Sequence, residues 1–140
     1  MLGNYEHRID QKGRVAIPAK FRKEFVEGAV LTTGIDSCII MYPRPEWHKI
    51  SDNYDYTAFA NSKKRQLMRI IFANATDVEM DKQGRVALSP WLKEHAEIKD
   101  VVMVIGSNKY LEIWSKESWD QERLRMAEAA WQLAEGSEDN

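Results

Sequence analysis

Short runs rich in aliphatic, β-branched or aromatic residues alternate with turn-forming residues along the chain. Runs of four or five such residues, bounded by glycine, asparagine, aspartate or serine, are typical of β-strands. They occur twice in the same order: a strand, a loop, a second strand, and then a pair of strands joined by a turn. The predicted strands are Glu6–Ile9, Arg14–Ile17, Val30–Thr33 and Cys38–Tyr42 in the first half, and Asp77–Met80, Arg85–Leu88, Val101–Ile105 and Tyr110–Trp114 in the second.

Each predicted strand pair is preceded by a short helix and followed by another helix. Pro18 precedes AKFRKEF, and Pro90 follows Ser89 before WLKEH. Proline is favoured in the first turn of a helix, and serine is a good N-cap. The helix that closes the first half is predicted to begin around Pro45.

The helix that closes the second half is predicted to begin after Ser115. Its residues Leu124, Ala127 and Trp131 recur at helical spacing, which favours a contact with the core or with another subunit. The acidic end, EGSEDN, is predicted to fray.

The same unit is therefore present twice. A shift of 71 positions aligns RIDQKGRVAIP with EMDKQGRVALS, and a one-residue slip then aligns VLTTG with VMVIG. Repeats of this kind indicate a duplicated structural unit. We predict pseudo-repeat one over about 5–52, a linking helical segment over about 53–75, pseudo-repeat two over about 76–124, and a C-terminal helix and acidic tail to 140.

Composition adds the class of protein and its compartment. Of the 140 residues, 44% are hydrophobic and 30% are charged, as in a single globular domain. A single cysteine, Cys38, cannot form an internal disulfide, and the first residues contain no apolar signal core. The apolar run Val101–Ile105 is far shorter than a membrane span. We expect a soluble cytoplasmic protein with no membrane partner.

The formal net charge of −2 conceals a polarised distribution. Residues 5–23 contain six basic residues against two acids, and residues 61–73 contain four basic residues and no acid. Residues 116–140 contain three basic residues against seven acids. Since local potential governs attraction to a polyanion more than net charge does, the basic stretches are candidate contacts for a polyanion. Solvated helix faces would give the same composition.

Each repeat contains the pattern Asp-x-x-Gly-Arg between two predicted strands, as DQKGR at 10–14 and DKQGR at 81–85. The carboxylates of Asp10 and Asp81 can accept backbone N–H groups two residues on, and Gly13 and Gly84 can take the positive φ of a tight turn. We assign these four residues to shaping the loops and predict that each loop is a tight hairpin.

The arginine after the glycine has two interpretations, because a turn requires nothing of this position. Arg14 and Arg85 either form an ion pair with the aspartate of their own loop or present a guanidinium to a ligand. A guanidinium can bind phosphate or the O6/N7 edge of guanine. Two strands joined by a hairpin fit the major groove of DNA, which favours double-stranded DNA as the ligand.

The paired D-x-x-x-R loops, the duplicated unit and the linking segment RIIFANATDVEMD resemble the MraZ family of bacterial transcription regulators over essentially the whole chain. That family is similar to the AbrB and antitoxin swapped-hairpin DNA binders. The resemblance implies an α+β fold, in which both repeats supply strands to a swapped-hairpin β-barrel with flanking helices, and a ring-shaped homo-oligomer. One departure is that LSPWLK follows the second loop where IPAKFR follows the first, so the second short helix is less basic.

The resemblance also implies a function for the loops. It implies repression of the division and cell-wall gene cluster by a nucleoid-associated protein that binds short G-rich direct repeats in promoter DNA. The DNA contact then falls on the D-x-x-x-R loops, which predicts Lys12, Arg14, Lys82 and Arg85 as the DNA-binding residues.

Three other functions stay open. An enzyme is disfavoured because His7, His48 and His95 are isolated and no HExxH or glycine-rich phosphate loop occurs, so we predict no catalytic residue, cofactor or metal. The main alternative is a ring-forming scaffold whose basic loops bind acidic proteins. RNA binding is the third. It is disfavoured because RNA readers usually expose aromatic platforms, whereas the aromatic residues here fall at expected core strands and helix starts.

Overall fold

The computed structural model describes residues 1–53 and 61–138, without the side chains of 137 and 138. The predicted order of strands and helices is present twice. The first repeat contains β1 (Asn4–Arg8), β2 (Arg14–Ala16), a 3-10 helix (Ala19–Phe25), β3 (Ala29–Thr33), β4 (Ile39–Pro43) and α1 (Arg44–Asn53). Then follow α2 (Ser62–Ala73), β5 (Thr76–Val78), β6 (Arg85–Ala87), α3 (Pro90–His95), β7 (Val101–Ser107), β8 (Tyr110–Ser115) and α4 (Lys116–Glu138).

Strands are exchanged between the two repeats. Six strands form an antiparallel sheet in the order β1-β7-β8-β4-β3-β5, and β2 pairs with β6 in a separate two-stranded sheet. The first strand of repeat one thus lies against repeat two, through β1 and β7. The first strand of repeat two lies against repeat one, through β5 and β3. Each repeat completes the sheet of the other.

Each loop is the predicted tight turn, closed by a backbone hydrogen bond from the aspartate N–H to the arginine carbonyl, at 3.0 Å in the first loop and 2.9 Å in the second. The prediction that the flanking strands pair with each other as a simple hairpin is wrong. The strands on either side of loop 10–14, β1 and β2, pair with β7 and β6 and not with each other. Burial explains the outcome, because the central residues of the small sheet, Val15 and Val86, lie opposite each other and are completely buried. Pairing across the repeats therefore buries both valines together.

The fold is mixed α+β, as predicted. Among the described residues the large sheet has two edge strands, β1 and β5, so its closure into a swapped-hairpin barrel stays a prediction. Helix α2 falls inside the predicted linking segment, of which residues 54–60 lie outside the described part of the chain. In residues 1–53 and 61–138 no helix is both long and apolar enough to cross a membrane.

The core contains side chains from both repeats. One cluster joins Val15, Ile17 and Phe21 with their counterparts Val86, Leu88 and Leu92. A smaller cluster contains Cys38, Trp114 and Trp119. Because the cores of the two repeats are continuous, the loops that follow β1 and β5 are supported by residues of both repeats.

The apolar residues Leu124, Ala127 and Trp131 of α4 are not part of this core. The prediction that they contact the core is therefore wrong. Leu124 is 67% exposed and Trp131 is 62% exposed. The N-terminal turns of α4 pack on β7 and β8 through Trp119, and the helix then extends past the sheet as far as Glu138. Helical spacing cannot distinguish a buried stripe from an exposed one, and a contact with another subunit stays a prediction.

Candidate nucleic-acid interface

Each Asp-x-x-Gly-Arg loop is closed by its aspartate. The Oδ1 of Asp10 accepts the backbone N–H of Lys12 at 2.9 Å and that of Arg14 at 2.8 Å. In the second loop the Oδ1 of Asp81 accepts the backbone N–H groups of Gln83 and Arg85, both at 2.9 Å. The two loops therefore have the same hydrogen-bond pattern, which holds the chain in a tight turn just before the arginine.

The glycines provide the conformation that this turn needs. Gly13 has φ +74° and Gly84 has φ +77°, a region in which other residues are strained. In both loops the glycine N–H donates to the aspartate carbonyl at 3.0 Å. Together, aspartate and glycine fix the direction in which the following arginine leaves the turn.

Because β2 and β6 pair antiparallel, the two loops join this short ribbon at opposite ends. In this register Arg14 lies opposite Ala87, and Arg85 lies opposite Ala16. Since side chains alternate across a strand, both arginines project from one face of the ribbon and the buried valines from the other. Backbone hydrogen bonds of 2.9 Å from Ile17 N–H to the Gly84 carbonyl and from Leu88 N–H to the Gly13 carbonyl extend the pairing.

The two arginines and two aspartates form one network across the repeats. Arg14 donates its Nε–H to the Oδ2 of Asp10 at 2.8 Å, and its Nη1 lies 3.6 Å from the Oδ2 of Asp81. Arg85 has the same arrangement: its Nε–H donates to the Oδ2 of Asp81 at 2.8 Å, and its Nη1 lies 3.7 Å from the Oδ2 of Asp10. The ion pair that the sequence allowed is thus present, and it is shared between the loops. These side chains are 27% to 33% exposed, so a ligand can reach them.

Hydrogen bonds within each loop lower the pKa of its aspartate. The backbone N–H of Arg14 lowers the pKa of Asp10 below its ordinary value of 3.8, and the Arg14 side chain and the Lys12 N–H act in the same direction. The backbone N–H of Arg85 lowers the pKa of Asp81, again with its side chain and the N–H of Gln83. Partial desolvation opposes the shift in both loops but does not reverse it.

The other two predicted DNA-binding residues, Lys12 and Lys82, are exposed in the loops. They do not occupy equivalent positions, because Lys12 is the third residue of its loop and Lys82 is the second residue of the other. Each loop nevertheless adds one lysine ammonium at the surface beside its arginine.

Two further basic side chains reach the loops from the opposite repeat. Gly13 and Gly84 are buried although the preceding residues, Lys12 and Gln83, are exposed. A Cβ built on Gly84 would lie 2.6 Å from the Cδ of Arg22, and one built on Gly13 would lie 3.2 Å from the Nζ of Lys93. In the sequence Arg22 belongs to the basic stretch of residues 5–23, and Lys93 was not predicted as a site residue. The shift of 71 positions that aligned the loops also aligns these two residues, and could have found them.

The duplicated geometry agrees with a match to a known family. A family model described as "MraZ protein, putative antitoxin-like" matches the chain twice, over residues 1–70 and 71–134. The chain belongs to the MraZ family. The two matches meet at residues 70 and 71, between the two copies of the MraZ-family loop.

Curated MraZ relatives match over most of their length. A protein of Herpetosiphon aurantiacus is 42% identical over 134 residues, covering 96% of this chain and 94% of the relative. One from Dehalococcoides mccartyi is 42% identical over 140 residues, with 99% of both chains covered. One from Caldanaerobacter subterraneus is 44% identical over 121 residues, covering 86% of this chain and 85% of the relative. Each of these relatives is named "Transcriptional regulator MraZ".

Other reactive residue types in this MraZ-family chain lie apart from the loops. The three histidines occupy different elements, with His7 in β1, His48 in α1 and His95 in α3. Cys38 is buried, and burial raises the pKa of its thiol. Among the described residues no group of three or more histidine, cysteine, aspartate or glutamate residues could hold a metal ion.

The aromatic side chains predicted at core strands and helix starts are mostly buried or partly buried. Trp114 and Trp119 are buried and contact each other with ring centroids 5.6 Å apart. Tyr42 and Trp47 are partly buried and lie 5.8 Å apart. Trp91, on α3, is 51% exposed and stacks on His95.

Proposed function

We propose that this MraZ-family chain is a transcriptional regulator that binds duplex DNA in a sequence-specific manner through its two Asp-x-x-x-Arg loops. The observation that supports the proposal best is the pairing of β2 with β6, which places Arg14 and Arg85 on one face of a two-stranded ribbon. The major groove admits a two-stranded ribbon, and bidentate binding of arginine to guanine is the commonest specific contact there.

The ion-pair network suits this role. Arginine has five N–H donors, and the hydrogen bond to the aspartate of its own loop uses Nε. Nη1 lies 3.6 or 3.7 Å from the other aspartate, beyond hydrogen-bond distance, so both terminal nitrogens keep donors for a bidentate contact. A side chain that is already held in place loses less conformational entropy when it binds a base. In this proposal Asp10 and Asp81 position the arginines, while Lys12 and Lys82 contact phosphates, which fix the register of the protein on the duplex.

The regulatory details of the proposal come from the family resemblance. The relatives named as transcriptional regulators support a role at promoters. We propose binding at short G-rich direct repeats upstream of the division and cell-wall gene cluster, repression of that cluster, and a cytoplasmic, nucleoid-associated location. No enzymatic step is part of this proposal.

A ring of identical chains is the proposed assembly. Leu124 and Trp131 are seven residues apart on α4, share one side of the helix, and are exposed. The helix is acidic, whereas α2 carries exposed Lys63 and Arg69 and no acid. A contact between α4 of one copy and the basic α2 surface of the next would be heterologous, and such contacts close into rings when the rotation allows it.

The experiment that tests the proposal is footprinting and mobility shift of the full chain on the duplex upstream of its own gene. The competitors are an unrelated duplex of equal length, single-stranded RNA and heparin. We expect a discrete footprint and competition by the promoter duplex at much lower concentration than by the others. Equal competition by heparin and by both duplexes would contradict sequence-specific binding and favour the scaffold for acidic proteins, and stronger competition by RNA would favour an RNA binder.

A further inference from the structure

Each loop glycine is covered by a cation from the other repeat. Gly84, in the second loop, lies under the guanidinium of Arg22, which belongs to the first repeat. Gly13, in the first loop, lies under the ammonium of Lys93, which belongs to the second repeat. Because Arg22 and Lys93 are equivalent under the repeat, the same crossing contact is made twice.

Arg22 is anchored in this position by the backbone. Its Nε donates to the carbonyl of Ile17 at 2.9 Å, and the N–H of Ile17 donates to the carbonyl of Gly84 at 2.9 Å. A single residue thus links the cation to the loop that it covers. With Nε engaged, the two terminal nitrogens still carry four donors.

Lys93 lies over its loop through the flexible end of its side chain. Its Nζ would lie 3.2 Å from a Cβ on Gly13, closer than most Cβ contacts, and its Cε would lie 3.7 Å away, at ordinary contact distance. Its ammonium has three donors and no fixed plane, so it can turn toward an anion. The helix around it is also less basic, since Trp91 and Glu94 stand where the first repeat has Lys20 and Lys23.

We propose that Arg22 and Lys93 each bind a DNA phosphate beside the loop of the opposite repeat. Each Asp-x-x-x-Arg loop then shares its DNA site with a basic residue from the other repeat of the same chain. The loop arginine reads the base edge, the loop lysine contacts one phosphate, and the crossing cation contacts another. This inference rests on the proposed function and adds two phosphate contacts to it. Phosphate contacts set affinity and register and carry no sequence information by themselves.

The dependence of affinity on salt tests this inference. For duplex DNA the slope of log affinity against log salt changes by about 0.9 for each phosphate contact. We expect Arg22→Gln and Lys93→Gln each to reduce the slope by about that amount, the double variant by about twice as much, and the loss of affinity to be similar on promoter and unrelated duplexes. Arg22→Lys, which keeps the charge but not the Nε bond, should retain the wild-type slope.

Lys109→Gln is the matched control. It removes an exposed lysine in the turn after β7, whereas loop 10–14 lies beyond the other end of that strand, since Arg8 pairs with Val101. The control should leave the slope unchanged. Circular dichroism should verify that each variant is folded, and Lys93→Gln serves if the loss of the Ile17 bond prevents Arg22→Gln from folding.

Unchanged slopes for Lys93→Gln and for folded Arg22→Gln, in a chain whose specific binding still requires Arg14 and Arg85, would overturn this inference and leave the proposed function intact. Absence of binding by the wild-type chain to either duplex would overturn both.

Discussion

The Nη1 of Arg14 lies 3.6 Å from the Oδ2 of Asp81, so an arginine of the first repeat is held by an aspartate of the second. The reverse contact, from Arg85 to Asp10, measures 3.7 Å. The two loops are therefore coupled through their side chains as well as through the pairing of β2 and β6. A substitution in one loop should therefore alter the ion pairs of the other loop.

Removing the loop arginines should weaken specific binding and leave the fold intact. Arg14→Ala and Arg85→Ala each delete a guanidinium from the exposed face of the ribbon, and a bidentate contact with guanine is worth about 1–3 kcal/mol. We expect a loss of affinity of this size for promoter DNA and a much smaller loss for unrelated DNA, measured by mobility shift. Because the arginines share both aspartates, the double variant should deviate from additivity. Melting temperatures that fall in parallel with affinity would indicate that the arginines are structural.

Removing a loop aspartate should weaken specific binding even though it removes negative charge. In Asp10→Asn the backbone N–H groups keep an acceptor, but Arg14 and Arg85 lose a charged partner. Charge alone predicts tighter binding to any DNA, whereas positioning predicts a lower ratio of promoter to unrelated affinity. Competition assays with the two duplexes measure this ratio, and an increase in it would contradict the positioning role.

The same aspartates should make the fold sensitive to acid. Their pKa values are lowered in the folded chain, so each stabilises the fold above its ordinary value of 3.8, and the stabilisation is lost as pH falls through the lowered pKa. Melting temperatures measured from pH 6 downward should decline below about pH 4. The decline should be smaller in the double variant Asp10→Asn/Asp81→Asn, which should already be less stable than wild type at neutral pH.

The two loop glycines should differ in their tolerance of a methyl group. Alanine at a positive φ costs about 1–2 kcal/mol, which applies to both Gly13→Ala and Gly84→Ala. At Gly84 the new Cβ would also meet the Cδ of Arg22 at 2.6 Å, whereas at Gly13 it meets the mobile end of Lys93 at 3.2 Å. Urea unfolding should therefore show the larger loss for Gly84→Ala. Gly136→Ala on α4, where a Cβ meets nothing within 4 Å, is the control and should not destabilise the chain.

Assembly should depend on the exposed side of α4. Leu124→Ala and Trp131→Ala should lower the mass measured by light scattering at micromolar concentration. They should hardly change monomer stability, because both side chains are largely exposed in the single chain. Trp119→Ala is a contrasting variant, since Trp119 is buried and its loss should cost about 3–5 kcal/mol of fold stability. A wild-type chain that is only monomeric at these concentrations would contradict the ring.

Local sequence patterns predicted the strands, the helices and the tight turns of the two loops. They did not predict which strands pair when the partners are far apart in the sequence. The strand pairs β3–β4 and β7–β8 follow from short turns such as Gly34–Ser37, and the roles of Asp10 and Gly13 in the turn are local hydrogen-bond chemistry. The partner of β2 was not predictable, because alternation identifies the buried face of a strand but not the strand beside it. The shared ion pairs of the loops depend on that partner, and so were missed with it.

The exchange of β1 and β5 between the repeats has a consequence for how the chain is made. The ribosome releases residues 4–8 early, yet the strand that flanks them, β7, begins at Val101. At a synthesis rate of about 5–20 residues per second, several seconds pass between the synthesis of β1 and that of β7. During this interval the amino-terminal half presents an unpaired strand and the apolar surface around Val15, both of which can aggregate. The pairing of β1 therefore follows the synthesis of β7 and depends on a contact between distant parts of the sequence, which is slow to form.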